Sequence, residues 1–251
     1  MSTWILLRGL TREARHWGDF PSQLAKIVRG SQVLTLDLPG NGQLHRERSL
    51  TTVEAMADFC ETQRQRLGLS APVSLIAMSL GAMVTVAWAE RHPEALASAV
   101  LISTSLRPFS PFHHRLRPAT YPALLRLALG ATPRQWEEAV LRLTSRHAGT
   151  PRTALLEQWL GYRRDCPVTR ANALRQLWAA SRYRAPLERP ALPLLLLNST
   201  QDQLVDPRCS AALAQAWHCP LRQHPSAGHD LPLDDADWVL RQIADWITRP
   251  D

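Results

Sequence analysis

The chain has 251 residues, of which 45% are hydrophobic, and its formal net charge is +7 at pH 7. This length fits one domain or two, and the apolar fraction is enough to bury a substantial core. No apolar run reaches the roughly 18 residues that a membrane helix needs, so no membrane span is predicted. The basic charge comes without the basic and aromatic array that binds single strands, so nucleic-acid binding is not expected.

The N-terminal segment and the cysteines bear on the cellular compartment. The segment "MSTWILLRGL" has no basic region followed by a long apolar stretch and a cleavage site, which predicts a cytoplasmic location. The spacings of the four cysteines match no zinc or redox motif. We therefore expect free, buried thiols at Cys60, Cys166, Cys209 and Cys219.

Six short apolar runs, each closed by small or turn-forming residues, are the candidate strands. In chain order they are "TWILLRG", "SQVLTLDLPGNG", "APVSLIAMS", "SAVLISTS", "ALPLLLLNST" and a weaker run within "PLRQHPSAGH". Most of the runs are nearly continuous rather than alternating. Such runs are typical of parallel strands that are buried on both faces of a sheet.

Helical spacing fills the segments between these runs. The clearest cases are "TTVEAMADFCETQRQRLG", "LGAMVTVAWAERHP", "DPRCSAALAQAWH" and "DDADWVLRQIADWITR". In the first, Val53, Met56, Ala57 and Cys60 form one apolar stripe. The alternation of strands and helices predicts an α/β fold with a mainly parallel central sheet flanked by helices.

The middle of the chain departs from this alternation. Between about residues 107 and 189 there are helix-like pieces such as "YPALLRLALG" and "TRANALRQLWAASRY", but no convincing strand. The sequence therefore predicts a core made of residues 1–106 and 190–251, with a helical insertion at 107–189. Arginines greatly outnumber acidic residues in the insertion, and we interpret them mainly as solvated helix faces. The adjacent His113 and His114 make a poor metal chelate and are expected at the surface.

Ser79 lies in the turn "AMSLG", between the strand "VSLIA" and the helix that follows. A tight strand-to-helix turn exposes its central side chain at the carboxyl edge of the sheet and needs small residues two positions before and after, as Ala77 and Gly81 are. This pattern is a nucleophile elbow with Ala in place of the first Gly of G-x-S-x-G. The amides at the start of the helix favour negative charge beside Ser79.

A serine hydroxyl needs a base within hydrogen-bond reach, and the base needs an orienting acid. In "LLLLNSTQDQLVD" Asp202 follows an apolar strand, and in "QHPSAGHDLPLDD" His229 follows the last short strand. Both should lie at the edge of the sheet that carries Ser79, because parallel strands share one carboxyl end. Asp206 is the main competitor for the acid, although capping of a helix is its more ordinary role. The loop after the first strand can offer the Leu10 amide to an oxyanion, and the elbow offers the Leu80 amide.

Five segments in order, "LLRGLTREARHW", "LDLPGNG", "AMSLGAM", "NSTQDQLV" and "SAGHDLPLDD", span nearly the whole chain. Together they resemble the α/β-hydrolase superfamily, close to the small bacterial serine esterases and thioesterases with a helical cap. The resemblance implies that Ser79, Asp202 and His229 form a catalytic triad. It also implies oxyanion donors at Leu10 and Leu80, a cap at 107–189, and no metal or organic cofactor.

The sequence departs from the family pattern at Arg8. The usual His-Gly pair of the oxyanion loop is Arg8-Gly9 here. The backbone amide of the following residue can still donate a hydrogen bond to an oxyanion after this change. Arg8 itself either holds a buried acid, which we favour, or reaches a carboxylate of the substrate.

The expected function is hydrolysis of small-molecule carboxylic esters or thioesters through an acyl-enzyme. Two alternatives remain open: an acyltransferase that uses the same triad, and a non-catalytic binding protein on a hydrolase scaffold. The basic insertion suggests an acidic partner, such as an acyl carrier or a coenzyme A thioester.

Overall fold

A computed structural model describes residues 2–146 and 151–248 of the chain. Its strands form one six-stranded sheet in the spatial order β2-β1-β3-β4-β5-β6, and every neighbouring pair is parallel. The strands are β1 (Thr3–Leu7), β2 (Gln32–Leu36), β3 (Val73–Met78), β4 (Leu96–Ile102), β5 (Leu194–Ser199) and β6 (Leu221–His224). All six predicted strands are present, and the α/β fold class with a parallel sheet is confirmed.

Helices cover both faces of this sheet. Those outside the segment between β4 and β5 are α1 (Phe20–Ile27), α2 (Val53–Arg66), α3 (Leu80–Arg91), α9 (Arg208–Trp217), α10 (Leu231–Asp234) and α11 (Ala236–Thr248). The predicted stripe of α2 is buried as expected. Helix α1 was not predicted, because its eight residues bury only Phe20 and Leu24 and so leave a weak periodic signal.

The core lies in two layers, one on each face of the sheet. In β1, Ile5 and Leu7 belong to the cluster that includes α2, α3 and α9, whereas Trp4 and Leu6 belong to the cluster that includes α1 and α11. This alternation follows from the two-residue period of a strand. All of β3 is buried, whereas only one residue of the edge strand β6 is buried. Burial on both faces explains why the central runs read as continuously apolar.

Between β4 and β5, the described residues form five α-helices: α4 (Phe112–Arg115), α5 (Tyr121–Gly130), α6 (Pro133–Thr144), α7 (Arg152–Asp165) and α8 (Arg170–Arg182). We call the segment 107–189 the helical insertion, and its boundaries as a separate unit stay a prediction. Near its two ends, an isolated β-bridge joins Arg107 to Arg184. Helices α6 and α7 share a small apolar cluster that includes Leu141, Leu155 and Trp159.

The four cysteines are free and buried, as predicted. Burial raises the pKa of Cys60 to about 12 and that of Cys209 to about 11, so both thiols stay protonated at neutral pH. Within residues 2–146 and 151–248, no helix combines the length and the apolar character that crossing a membrane requires.

Candidate active site

Ser79 occupies a strained turn between β3 and α3. Its backbone has φ 50° and ψ −112°, a conformation that non-glycine residues rarely adopt. Strain of this kind persists only where the surroundings impose it, and it clusters at functional sites. The predicted strand-to-helix turn is therefore present at Ser79, and its role as a nucleophile elbow stays a prediction.

Two glycines allow the loop after β1 to pack against this turn. A Cβ atom on Gly81 would lie 2.7 Å from the carbonyl oxygen of Leu7 and 2.8 Å from that of Arg8. A Cβ atom on Gly9 would lie 3.2 Å from the Cβ atom of Ser79. The absence of side chains at both positions brings the end of β1 close to Ser79, as an oxyanion loop requires.

Asp202 and His229 meet at the carboxyl ends of β5 and β6. The Nδ1 atom of His229 lies 2.7 Å from Oδ2 of Asp202, and both side chains are buried. The other carboxylate oxygen of Asp202 accepts hydrogen bonds from the amides of Leu204 at 2.8 Å and Val205 at 2.9 Å. These bonds fix the carboxylate, so that it orients the imidazole with Nε2 available to a reacting group.

The charges around His229 favour its protonated form. Burial has the largest single effect and lowers the pKa of the imidazole, but the charge and hydrogen bond of Asp202 together with the charge of Asp230 outweigh it. Arg8 opposes these carboxylates, and the net pKa of His229 is raised above its ordinary value. A base of this kind can accept a proton and stabilise the imidazolium that results.

Ser79 and His229 line the same cavity. Within the described residues, however, Ser79 Oγ makes no hydrogen bond, so the contact with His229 that proton transfer needs is not made. Catalytic hydrogen bonds often reach their short length only when substrate binds. The structure thus joins Asp202 to His229 and places His229 and Ser79 on one cavity, and the triad itself stays a prediction.

Asp206, the competing acid, is bound elsewhere. Its carboxylate makes two contacts with the guanidinium of Arg208, at 2.7 and 2.9 Å, and accepts the Arg208 amide. The Arg208 side chain lowers the pKa of Asp206 to about 2. Asp206 therefore pairs within its own turn, and Asp202 is the acid that contacts the histidine.

Arg8 holds a buried acid, the predicted alternative that we favoured. It forms a two-point ion pair with Asp230, in which Nη1 lies 3.2 Å from Oδ1 and Nη2 contacts Oδ2. Nη1 also donates to the sulfur of Met78 at 3.0 Å, and the guanidinium lies 4.8 Å from the ring centre of Trp17. Sequence reasoning missed Asp230, although its position directly after His229 was an available signal.

Ser103 is a second residue that sequence reasoning missed. It follows β4 with φ 51°, and its Oγ donates a hydrogen bond of 2.8 Å to the carbonyl oxygen of His229. It thereby fixes the backbone that carries the imidazole. No spacing motif identifies such a residue, because its partner lies 126 residues away.

The two predicted oxyanion donors, Leu10 and Leu80, both line the cavity. No described residue accepts a hydrogen bond from either amide, so both remain available to a ligand. The loop that carries Leu10 is held by the helical insertion, because the Thr11 amide donates to Gln176 at 2.8 Å and Arg12 pairs with Glu137 at 2.7 Å. The insertion therefore fixes the position of the Leu10 amide.

The cavity above Ser79 has a volume of about 490 Å³ and is lined mostly by apolar side chains. Many come from α4, α5, α6 and α8, among them Leu124, Leu127, Trp136, Val140 and Leu177. A volume of this size accommodates a small organic molecule. Within the described residues, no group of three or more His, Cys, Asp or Glu residues is placed to hold a metal ion.

Comparisons with known proteins agree with this architecture. A family model described as alpha/beta hydrolase fold matches residues 5–236. No curated protein matches the chain. Among solved structures, an esterase from Thermogutta terrifontis is similar with a TM-score of 0.77 and 21% identity over 99% of this chain and 90% of that chain.

Two further solved structures are similar over nearly the whole of both chains. An enol-lactonase from Burkholderia xenovorans LB400 has a TM-score of 0.81 and 19% identity, over 99% of this chain and 92% of that chain. A hydrolase from Oleispira antarctica has a TM-score of 0.78 and 19% identity, over 99% of this chain and 92% of that chain. At such low identities these three similarities show a shared fold and nothing finer.

Proposed function

Because the chain belongs to the alpha/beta hydrolase family, we propose that it is a serine hydrolase of carboxylic esters or thioesters. One observation carries the proposal: His229 pairs with Asp202 at 2.7 Å and lines the same cavity as Ser79. The strained backbone of Ser79 supports its role as nucleophile. The cytoplasmic location predicted from the sequence stays a prediction.

In the proposed first half-reaction, Ser79 Oγ attacks the acyl carbonyl carbon while His229 Nε2 takes the hydroxyl proton. Asp202 accepts the Nδ1 proton of His229 in a hydrogen bond, which selects the tautomer with Nε2 free and stabilises the imidazolium. His229 then gives its proton to the leaving alcohol or thiol, and the acyl group remains on Ser79. In the second half-reaction, water attacks the acyl carbon with His229 as base. The acyl–Oγ bond then breaks, His229 returns the proton to Ser79 Oγ, and the acid is released.

The amides of Leu10 and Leu80 are the proposed donors to the tetrahedral oxyanion. Leu80 is the first residue of α3, where the helix dipole also favours negative charge. Each such donor contributes roughly 2.7–4 kcal/mol to stabilisation of the transition state. The closeness of Gly9 to Ser79 supports the assignment of the Leu10 amide.

The lining of the cavity favours an apolar acyl group as substrate. Apolar side chains from the insertion surround the space above Ser79, and burial of an aliphatic chain there gains roughly 0.8 kcal/mol per CH₂. Among esters of one alcohol, we expect kcat/KM to rise with acyl length until about 490 Å³ is filled. The choice between ester and thioester stays open.

The proposal is tested with a series of p-nitrophenyl esters and the matching acyl thioesters, using wild-type protein and Ser79→Ala. We expect wild-type turnover, with a fall of roughly 10⁶-fold in kcat on removal of the nucleophile. Labelling of Ser79 by a fluorophosphonate probe gives a second readout, with folding checked by circular dichroism. Equal rates in the wild type and Ser79→Ala would contradict the assignment of Ser79 as the nucleophile.

The alternatives predict different results in the same samples. An acyltransferase would form ester or amide products when alcohols or amines compete with water. A binding protein would fold and take up ligand without labelling at Ser79.

A further inference from the structure

Helix α5 exposes an apolar stripe to solvent. Tyr121, Leu125 and Leu129 are spaced four residues apart, so they share one face of the helix. Leu125 is 62% exposed and Leu129 is 77% exposed. The opposite face of the helix presents Leu124 and Leu127 to the cavity. Helix α5 is therefore apolar on both sides, although one side is largely exposed to solvent.

Helix α8 exposes a second apolar stripe beside the same cavity. Leu174, Leu177 and Trp178 are spaced three and four residues apart, and all three are exposed. Leu174 and Leu177 also line the cavity, as Tyr121 does on α5. We call the two stripes together the apolar rim. Exposed apolar surface of this kind marks an interaction site.

The segments that carry the apolar rim are cationic. Residues 107–130 and 166–187 contain eight arginines and no aspartate or glutamate. Within the described residues, none of these arginines forms an ion pair. The guanidinium of Arg182 lies 5.0 Å from the ring centre of Trp178. The complementary surface is therefore one that is both apolar and anionic.

Among anionic occupants, a lipid surface fits these observations better than a protein. A second copy of this chain would bring like charges together, which opposes association. Protein partners bury apolar anchors in matched pockets, whereas fluid lipid accepts protruding leucines without preformed pockets. Helices with arginine on the polar face and Leu or Trp on the other are typical of the lipid–water interface.

We propose that the apolar rim binds the surface of an anionic lipid assembly, with the cavity opening toward the lipid. The rim side chains enter the region between headgroups and acyl chains, while the surrounding arginines contact negative headgroups. Supply of an acyl ester from this surface to Ser79 rests on the proposed function, whereas binding to the surface does not.

The first test is vesicle flotation of the full chain carrying Ser79→Ala, which removes hydrolysis from the measurement. Vesicles of phosphatidylglycerol with phosphatidylcholine are compared with vesicles of phosphatidylcholine alone. We expect binding to the anionic vesicles to be at least about tenfold tighter, since each arginine near the surface contributes roughly fivefold. We expect this preference to weaken as salt is raised, because exposed charges are screened.

The apolar contribution is tested by Leu125→Gln/Leu129→Gln, which alters the exposed face of α5 and no residue that lines the cavity. The matched control is Leu67→Gln/Ile247→Gln, whose side chains are exposed outside the insertion. We expect at least about a tenfold loss of vesicle binding in the rim variant and no change in the control.

The charge contribution is tested by Arg126→Gln/Arg182→Gln. The matched control is Arg29→Gln/Arg66→Gln, which removes two exposed charges outside the insertion. We expect at least about a tenfold loss from the first pair alone. Equal losses in the rim and control variants, or equal binding to both vesicle types, would overturn the proposal.

Two further outcomes would assign the surface to a different occupant and would also overturn the proposal. One is binding of an acidic acyl-carrier protein with no binding of vesicles. The other is a concentration-dependent dimer that Leu125→Gln/Leu129→Gln abolishes. Turnover of a water-soluble ester by the rim variants with Ser79 intact is measured separately. If the wild type does not turn over this ester, the proposed hydrolase function is contradicted, whereas the interpretation of the vesicle binding does not change.

Discussion

Arg8 and Asp230 form a buried ion pair between the loop after β1 and the loop that carries His229. The two residues are 222 positions apart in the chain. The pair joins the proposed oxyanion loop to the proposed base, and its two charges act on His229 in opposite directions. Loss of either partner leaves the other as an unpaired buried charge.

Asp230→Asn and Arg8→Met should therefore shift the pH dependence of the reaction in opposite directions. Without the Asp230 carboxylate, Arg8 lowers the pKa of His229, so the acid limb of kcat/KM moves to lower pH. Without Arg8, the two carboxylates raise the pKa, and the limb moves to higher pH. Each single variant should lose about 3–5 kcal/mol of stability in denaturant unfolding. If both variants shift the acid limb in the same direction, Asp230 and Arg8 do not have the opposite effects on the pKa of His229 that we assign to them.

In the wild type, kcat/KM should rise with pH along an acid limb whose midpoint lies above 6.5, the ordinary pKa of histidine. Burial lowers this pKa, but Asp202 and Asp230 together outweigh burial, and the base is active only when it is neutral. The measurement is a pH–rate profile at substrate concentrations well below KM. A midpoint below 6.5 would show that burial dominates instead.

Asp202→Asn should lower kcat by roughly 10⁴-fold, since the imidazole loses both its orienting acceptor and the charge that stabilises its protonated form. The matched variant is Asp206→Asn, which changes an acid four residues away that pairs with Arg208 and should leave kcat nearly unchanged. Steady-state kinetics on one activated ester compares the two. A large effect at Asp206 with none at Asp202 would reverse the assignment of the acid.

Gly81→Ala should destabilise the fold by about 1–3 kcal/mol, because the new methyl group would overlap the backbone carbonyls of Leu7 and Arg8. Gly161→Ala is the matched control within α7, where the nearest heavy atom to a new Cβ lies 3.8 Å away. That change should stabilise by about 0.5–1 kcal/mol, since alanine favours a helix interior. Denaturant unfolding measures the change in the free energy of unfolding for each variant. If Gly81→Ala leaves this free energy unchanged, the turn can relax around the added methyl group.

The periodic elements could be predicted because their signals are local. The stripe of Val53, Met56, Ala57 and Cys60 is buried as its spacing predicted, and each apolar run became a strand. Helix α1 shows where this reasoning ends. Its two buried side chains, Phe20 and Leu24, pack in the core layer that also contains α11. This contact joins distant parts of the chain, so no local sequence pattern predicts it.

The candidate site also has parts that local sequence patterns predict and parts that only tertiary packing decides. By itself the sequence determined the parallel α/β sheet and the strand-to-helix turn at Ser79, because both depend on short-range spacing and turn sterics. Tertiary structure alone decided that Asp202 rather than Asp206 contacts His229, that Arg8 meets Asp230, and that the insertion presents its apolar rim beside the cavity. Contacts between residues distant in sequence depend on how the layers pack, and no local pattern encodes that packing.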